Sequence, residues 1–309
     1  MDLVFEVRKD CKRPPLCAFS PEKLVPGLVE RRRLQPVLQC VFGLILGQFS
    51  EADLDRPNPA RVYDYFLGGT HNVAADRELA AQILRALPDA QLAVQANRAF
   101  LRRAVLYCMQ AGIRQFLDLG SGIPTVGNVH EVAQRAQAQC RVVYVDIEPV
   151  AVAQSQAILA GNDQAAVLQA DVADPDRILG DPELHRLLDL RQPVAVLMVA
   201  VLPFISDASD PYRIVARFRD ALSSGSYLVI SHGTSDVQPE GFAMLTERYR
   251  ATGTSLTMRT RQQVQQFFTG FELVDPGLVF IQQWRPDPPD ENEEHRGWSG
   301  IYGGVGRKP

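Results

Sequence analysis

Residues 115–125 read QFLDLGSGIPT: a short apolar run containing an aspartate, followed by two glycines with one residue between them. Such a run predicts a buried β-strand, and the glycines allow the chain to turn sharply where that strand ends. The residues after the turn, about 126–138, predict a helix whose first N–H groups face the same space. The stretch therefore predicts a strand–turn–helix unit, which either holds a ligand or is only a tight turn.

The same alternation continues towards the C-terminus. Further apolar runs lie at 141–146, 166–169, 194–202 and 226–231, separated by helix-like segments at about 149–160, 176–189 and 210–223. Continuous apolar strands alternating with helices are typical of a parallel sheet covered on both faces. Two more helices are expected at 241–251 and 261–268, then a β-hairpin of 271–273 and 278–283 around Asp275-Pro276-Gly277. The predicted fold class is α/β, a doubly wound Rossmann-like sheet of about seven strands with the last one antiparallel.

Three helices are expected before the sheet, at about 59–67, 73–86 and 89–111. Asn58 followed by Pro59 is a typical helix start, and Gly68-Gly69 is a typical stop. Because the first helix is short and ends in two glycines, segment 58–72 is predicted to act as a lid that hinges over the site. Within one domain at 51–309, residues 51–112 are predicted to form a helical cap and 113–309 the core.

The first 50 residues differ from the rest in composition. They carry 8 Lys and Arg against 5 Asp and Glu, although the whole chain has a net charge of −4. Residues 1–50 are therefore predicted to be an N-terminal extension, either flexible or packed at the periphery. The apolar stretch 37–47 follows three arginines as in a signal peptide, but about 30 residues precede it, which disfavours secretion.

Overall composition excludes several classes of protein. The net charge of −4 and the pI near 5.8 disfavour broad phosphate neutralisation, so no nucleic acid is expected as a partner. No apolar run approaches the roughly 20 residues of a membrane helix, so no membrane is expected either. Five cysteines without a CxxC pair favour the reducing cytoplasm, and no HExxH motif or His/Cys cluster suggests a metal.

Two acids strengthen the prediction of a ligand site. Asp146 ends the second strand, in VVYVDIEP, and Asp171 follows the third strand, in QADV. Both would lie beside the glycine turn at the carboxyl ends of adjacent strands, where open sheets bind ligands. Asp146 could accept hydrogen bonds from ribose hydroxyls, and Asp171 with the N–H of Val172 could contact an adenine edge. Each acid taken alone could instead be a helix cap.

These motifs resemble those of the class I S-adenosylmethionine-dependent methyltransferases: DLGSGIPT their glycine-rich motif, VDIEP their ribose motif and QADVADP their adenine motif. More narrowly, NPARVYDYFLGG at 58–69, NRAFL at 97–101 and GGVGRKP at 303–309 resemble a bacterial S-adenosyl methyltransferase family once classed as a domain of unknown function. The resemblance covers about 55–309. Members of that family usually have His in a motif like AVLHFI, where this chain has Pro203.

The resemblance implies S-adenosylmethionine as cofactor. It places Gly120, Ser121 and Gly122 at the methionine part, Asp146 at the ribose and Ala200 beside the sulfonium. The cofactor-binding set implied along the strand ends is Asp118, Gly120, Ser121, Gly122, Asp146, Ile147, Asp171, Val172 and Ala200.

The resemblance also implies a second group of cofactor residues, in the lid. Arg61, Gly69 and Asn72 are expected to close over the amino acid end, because a carboxylate needs a cation or N–H donors. The alternative for Arg61 is a solvated helix-surface arginine. Arg98, on the third helix, could pair with acids at the rim of the core.

Methyl transfer requires few catalytic side chains, since positioning an activated methyl group supplies most of the catalysis. His232, at the end of the fifth strand, is the best candidate for a general base, with a structural role as the alternative. Tyr63, Tyr65 and His71 are weaker candidates, for which packing is the favoured interpretation.

The predicted function is S-adenosylmethionine-dependent methyl transfer to a small-molecule acceptor in the cytoplasm. One alternative is an NAD(P)-dependent oxidoreductase on the same sheet, against which the missing third glycine of the dinucleotide motif counts. The other is a non-catalytic S-adenosylmethionine-binding protein, which the uncertain base and Pro203 keep open.

Overall fold

The computed structural model describes residues 55–124, 127–287 and 300–309. The predicted extension 1–50 lies outside the described residues. The chain first forms α1 (Pro59–Phe66), α2 (Ala74–Ala86) and α3 (Ala90–Gln110). Asn58 caps α1 as the sequence predicts, because its side chain accepts hydrogen bonds from the N–H groups of Ala60 and Arg61.

The α/β core follows these helices. Its parallel strands are β1 (Gln115–Leu119), β2 (Arg141–Asp146), β3 (Ala165–Gln169), β4 (Ala195–Val199) and β5 (Tyr227–Gly233). The connecting helices are α4 (Val129–Ala136), α5 (Pro149–Ile158), α6 (Pro175–Leu179), α7 (Pro182–Leu187) and α8 (Pro211–Ala221), and α9 (Pro239–Ala251) and α10 (Arg261–Gln266) follow β5. The strand order β3-β2-β1-β4-β5 confirms the predicted doubly wound sheet, because it runs outward from β1 in both directions. None of the described helices is long and apolar enough to cross a membrane.

The predicted C-terminal hairpin is wrong. The strands β6 (Glu272–Leu273) and β7 (Val279–Phe280) both pair antiparallel with a later strand, β8 (Ile301–Arg307), which is inserted beside β5. Glycines in β8 make room for the large side chains behind it: a Cβ at Gly303 would lie 2.7 Å from Ile281, and one at Gly306 would lie 2.8 Å from Phe271. The same glycines hide the strand from sequence patterns, since glycine is depleted in strands.

Two smaller differences concern elements near the site. The predicted helix 176–189 is two short helices, because Asp181 and Pro182 start a new helix after Gly180. The predicted strand 194–202 ends at Val199, since Ala200 takes a φ of +61° and Leu202–Phe204 forms a 3₁₀ turn. The chain thus leaves the sheet three residues earlier than the apolar pattern suggests, and residues 200–204 lie above the strand ends.

Buried apolar side chains fill both faces of the sheet and a third region above it. One face packs against α6, α7 and α8, and the other packs against α3. The third region joins α1, α2 and α9 and is called the cap cluster here; it consists of Val62, Phe66, Leu79, Ala80, Ile83, Tyr249 and Leu256. The cap cluster is what closes the space over the carboxyl ends of the strands.

Candidate functional site

A cavity of about 560 Å³ lies between the strand ends and the cap helices. Its strand-end half comprises the predicted cofactor residues that line it, which are Asp118, Gly120, Ser121, Gly122, Asp146, Ile147, Asp171, Val172 and Ala200. Its cap half comprises lining residues that belong to the cap cluster or pack against it, which are Val62, Phe66, Ile83, Val94, Phe204, Leu245, Tyr249, Leu256 and Met258. The other predicted site residues, Arg61, Gly69, Asn72 and His232, do not line the cavity.

The two glycines of the turn after β1 have different structural roles. Gly120 has a φ of +71°, and a Cβ there would lie 2.3 Å from Cγ2 of Val201, so the turn and the neighbouring loop both require glycine. Gly122 has a φ of +67°, but a Cβ there would meet no atom within 4 Å, which leaves the cavity wall open. Between them, the buried Oγ of Ser121 has no hydrogen-bond partner among the described residues. A bound ligand can supply that partner.

Asp146 stands at the tip of β2 and is 7% exposed. Its Oδ2 accepts a hydrogen bond from the N–H of Gly122 at 2.7 Å, and its Oδ1 accepts one from the N–H of Glu148 at 2.9 Å. Burial raises the pKa of the Asp146 carboxyl, and these backbone bonds oppose that rise. Each oxygen keeps a lone pair, so the carboxylate can still accept hydrogen bonds from hydroxyl groups in the cavity.

Asp118 and Arg98 face the cavity as a second polar pair. The pKa of the Asp118 carboxyl is raised to about 7, chiefly by burial; Arg98 opposes the rise and the charge of Asp146 adds to it. Arg98 lies over the ring of Tyr63, with 5.8 Å from its guanidinium carbon to the ring centre. Its buried Nε has no hydrogen-bond partner among the described residues, unlike the rim pairing expected from the sequence. The guanidinium is therefore placed to bind an anionic group of a ligand.

The charge of the lining favours a cationic ligand. Among the described lining residues Arg98 is the one cation, and the carboxylates are Asp89, Asp118, Asp146, Glu148 and Asp171. A dinucleotide diphosphate would face this excess of negative charge, whereas a sulfonium with an ammonium group would be attracted to it.

Arg61, predicted to close over the cofactor, is instead buried in an ion network. Its Nε lies 2.8 Å from Oδ2 of Asp76, and its Nη1 lies 3.4 Å from Oε1 of Glu148. Arg61 is 1% exposed and Asp76 is fully buried, so neither charge has water as an alternative partner. The network ties α1 to α2 and to the end of β2. The direct cofactor role predicted for Arg61 is therefore not supported by its position.

Gly69 and Asn72 likewise serve a turn rather than the cavity. The buried carboxylate of Asp64 accepts hydrogen bonds through Oδ2 from the N–H of His71 at 2.9 Å and from Nδ2 of Asn72 at 3.0 Å. A Cβ at Gly69 would lie 2.0 Å from the other oxygen of Asp64, which explains the glycine by close approach. His71 belongs to this turn too, with Nδ1 3.7 Å from Oδ1 of Asp64.

The position of His232 corrects its assignment as a general base. The ring is fully buried, with Nδ1 2.7 Å from the carbonyl oxygen of Gly233 and Nε2 2.9 Å from Nη1 of Arg259. Nδ1 therefore donates and Nε2 accepts, and burial lowers the pKa of the ring to about 3. Protonation would break the bond to Arg259 and place two cations in contact. His232 thus has neither a free nitrogen nor access to the cavity.

Arg259 is a residue that the sequence patterns missed. Besides His232, its guanidinium binds the carbonyl oxygens of Leu202 and Ile205 at 3.1 and 3.0 Å and the carboxylate of Asp207 at 2.6 Å. These bonds fix the loop after β4, which carries Phe204 into the cavity wall. The other base candidates are no stronger: Tyr65 and His71 do not line the cavity, and burial raises the pKa of Tyr63.

Comparison with known proteins places this chain in a family. A model of a family described as S-adenosyl methyltransferase matches residues 47–309. A DUF574 family protein from Streptomyces avermitilis is 39% identical, with a TM-score of 0.79 over 83% of this chain and 99% of that one. A candidate methyltransferase from Thermobifida fusca is also 39% identical, with a TM-score of 0.77 over 83% of this chain and 96% of that one. No curated protein matches the chain.

The family match selects methyl transfer over the oxidoreductase and non-catalytic alternatives, in agreement with the negative charge of the cavity. The chain belongs to the S-adenosyl methyltransferase family and is an S-adenosylmethionine-dependent methyltransferase.

Proposed function

We propose that the strand-end half of the cavity binds S-adenosylmethionine and that the cap half binds a small-molecule methyl acceptor. The observation that carries this proposal is that two buried polar atoms, Ser121 Oγ and Arg98 Nε, have no hydrogen-bond partner within the described part of the chain, in a cavity lined by carboxylates. These groups fit a zwitterionic, positively charged cofactor. When bound, S-adenosylmethionine supplies a methyl group already activated by its sulfonium.

Different residues of the strand-end half contact different parts of the cofactor. Gly120, Ser121 and Gly122 contact the methionine part, and Arg98 takes the carboxylate in the role first assigned to Arg61. The carboxylate of Asp118, beside Arg98, pairs with the ammonium group.

The adenosine part of the cofactor is bound by residues at the ends of β2 and β3. Asp146 accepts hydrogen bonds from the ribose hydroxyls. Ile147, Asp171 and Val172 surround the adenine. Ala200, with its strained positive φ, forms the wall beside the sulfonium.

Catalysis in this proposal comes from positioning rather than from a protein base. The described lining contains no His, Lys or Cys, and burial raises the pKa of both its tyrosines, Tyr63 and Tyr249. Asp118, Asp146 and Asp171 lie in the strand-end half with the cofactor. The chain therefore contributes by holding the acceptor in line with the methyl group and by excluding water.

Segment 58–72 covers the cavity in this proposal. It forms more hydrogen bonds to the core than a freely hinging lid would form. Asn58 and Tyr63 line the cavity, and Nδ2 of Asn58 lies 2.6 Å from Oε2 of Glu148 at the end of β2. Nδ2 of Asn97 donates to the hydroxyl of Tyr63 at 3.0 Å, which joins α1 to α3. Binding of the cofactor beneath these contacts would hold the segment closed.

A small molecule fits the described cavity better than a polymer does, because the cap helices cover it and the net charge of −4 offers no attraction to nucleic acid. We also propose a cytoplasmic location, supported by five cysteines without a CxxC pair. The proposed domain boundary near residue 50 is supported by the family match, which starts at residue 47.

Isothermal titration calorimetry on the full chain tests the cofactor assignment. S-adenosylhomocysteine should bind with one-to-one stoichiometry, and NAD should not bind, because its diphosphate meets the carboxylates of the lining. Absence of S-adenosylhomocysteine binding, or equal binding of NAD, would contradict the proposed function.

A further inference from the structure

We infer that the cap half of the cavity takes an uncharged, apolar acceptor that carries an aromatic ring. This inference rests on the proposed function, since it assigns the part of the cavity that the cofactor leaves open. It names the chemical class of the acceptor, which neither the family match nor the related structures identify.

The walls of the cap half are apolar and rich in rings. Phe66, Phe204 and Tyr249 belong to the cap half and come from α1, the loop after β4 and α9. Phe242, also on α9, lines the cavity as well. Phe204 and Tyr249 meet edge to face, with their ring centres 5.6 Å apart. Aromatic walls in such arrangements bind a further ring by stacking or edge contacts, in addition to the burial of its apolar area.

The placement of charges excludes a charged acceptor. Arg98, the one cation of the described lining, lies by Asp118 in the strand-end half, so an anion under the cap would have no partner. The buried carboxylates of Asp118 and Asp146 also lie at the strand ends, and Glu148 and Asp171 directly follow β2 and β3, where Glu148 is bonded to Arg61 and Asn58. The remaining carboxylate of the lining, Asp89, is exposed to solvent. An ion of either sign in the cap half would therefore lose its hydration without compensation.

The polar side chains that line the cavity outside the strand-end half are exposed, half-buried or already bonded within the protein. Asn97 is buried, and its amide donates to the hydroxyl of Tyr63 and accepts from that of Ser231. Gln238, at the start of α9, lines the cavity and is exposed, and Thr254, which follows the end of α9, is half-buried. The hydroxyl of Tyr249 lies in a buried side chain with a raised pKa, so it stays neutral. A molecule with an apolar ring system inside and a polar group near the mouth matches this distribution.

Two fluorescent probes with one ring skeleton test the inference directly. N-phenyl-1-naphthylamine is neutral, and 8-anilinonaphthalene-1-sulfonate adds one negative charge to the same rings. With the full chain saturated by S-adenosylhomocysteine, the neutral probe should bind with one-to-one stoichiometry and at least about tenfold more tightly, equivalent to about 1.4 kcal/mol. Equal or tighter binding of the sulfonate would overturn the inference, and this comparison needs no variant to fold.

Two pairs of tryptophan variants locate the probe. Val94→Trp on α3 and Leu245→Trp on α9 each place an indole on a lining position of the cap half. Leu92→Trp and Met244→Trp place the same group on the same helices at positions that are 49% and 46% exposed and outside the lining.

The lining variants should weaken binding of the neutral probe at least about tenfold, again about 1.4 kcal/mol, and the control variants should leave it unchanged. A neutral probe that binds equally to all four variants lies elsewhere, which would also overturn the inference. Calorimetry with S-adenosylhomocysteine on the same samples separates the two proposals. If S-adenosylhomocysteine fails to bind to the wild-type chain, the proposed function fails; if it binds while the neutral probe does not, the acceptor class alone fails.

Discussion

The two halves of the cavity are built in different ways. The strand-end half is polar and, apart from Arg98 on α3, comes from short motifs, each carried by one strand and the turn after it. The cap half is apolar and comes from α1, α2, α3, α9 and the loop after β4, which are far apart in the sequence. Local motifs therefore specify most of the cofactor half, whereas only the assembled fold specifies the acceptor half.

The largest effect is expected on the free energy of unfolding, when Arg61 of α1 is compared with Arg98 of α3. Arg61→Met would leave the carboxylate of Asp76 buried with two backbone hydrogen bonds but without its arginine partner, and should lower the free energy of unfolding by about 3–5 kcal/mol. Arg98→Met removes a guanidinium whose Nε has no protein partner among the described residues, and should mainly weaken S-adenosylhomocysteine binding, by about 1.5–3 kcal/mol. Urea unfolding and calorimetry on both variants measure the two effects. Weakened binding in a stable Arg61→Met protein, with normal binding in Arg98→Met, would reverse the assignment.

A pH dependence is expected from Asp118, whose pKa is raised by burial from 3.8 to about 7. Ionising this buried group costs stability, so its favourable contribution is complete below pH 3.8 and is lost as the pH rises through 7. Asp118→Asn removes that loss and should gain a few kcal/mol over the wild type between pH 5 and pH 8, since each pKa unit is worth about 1.36 kcal/mol.

Binding should show the opposite trend with pH. S-adenosylhomocysteine affinity of the wild-type chain should rise through pH 7, because the ionised Asp118 attracts the ammonium group, and Asp118→Asn should flatten that rise. Urea unfolding and calorimetry at several pH values check both trends. Parallel curves for the wild type and Asp118→Asn would show that Asp118 does not titrate in this range.

A smaller effect is expected on the rate of proteolysis of segment 58–72, which covers the cavity. If 58–72 is held closed by the cofactor beneath it, S-adenosylhomocysteine should slow limited proteolysis near Gly68 and Gly69, which end α1. Cleavage at the same rate with and without the ligand would make the segment a fixed wall. In that case the acceptor would need another route into the cavity.

The smallest effect is expected from the extension. A shortened chain that begins at Glu51 should bind S-adenosylhomocysteine as the full chain does, since none of the cavity lining comes from residues before Asn58 in the described chain. Thermal unfolding and calorimetry on the two proteins provide the check. A loss of solubility or affinity would move the domain boundary towards the N-terminus.

The sequence predicted the parallel sheet and the strand-end half because both depend on local patterns. Apolar runs mark β1 to β5, and the glycine turn and acids follow directly after strands. The pattern failed at β8, where glycines at 303, 304 and 306 leave no β-branched signal although a strand forms.

The predictions for individual side chains were wrong for a different reason: the sequence does not show in which direction a side chain points. The apolar pattern ends the fifth strand at residue 231 and so leaves His232 at the strand end, but β5 runs to Gly233. Side chains alternate along a strand, so Gly233 lines the cavity while His232 points to the opposite face and stacks on Phe267. The sequence does not show that Arg98 faces the cavity for the same reason, since the direction of its side chain depends on how α3 packs on the sheet.

The most direct test of the division into two halves is calorimetry on Asp146→Ala, with Leu245→Trp as its counterpart. Asp146→Ala should weaken S-adenosylhomocysteine binding by about 1.5–3 kcal/mol, because the ribose hydroxyls lose a charged acceptor, and should leave the neutral probe bound. Leu245→Trp should do the reverse. Unchanged S-adenosylhomocysteine affinity in a folded Asp146→Ala protein would contradict the account that the strand ends hold the cofactor.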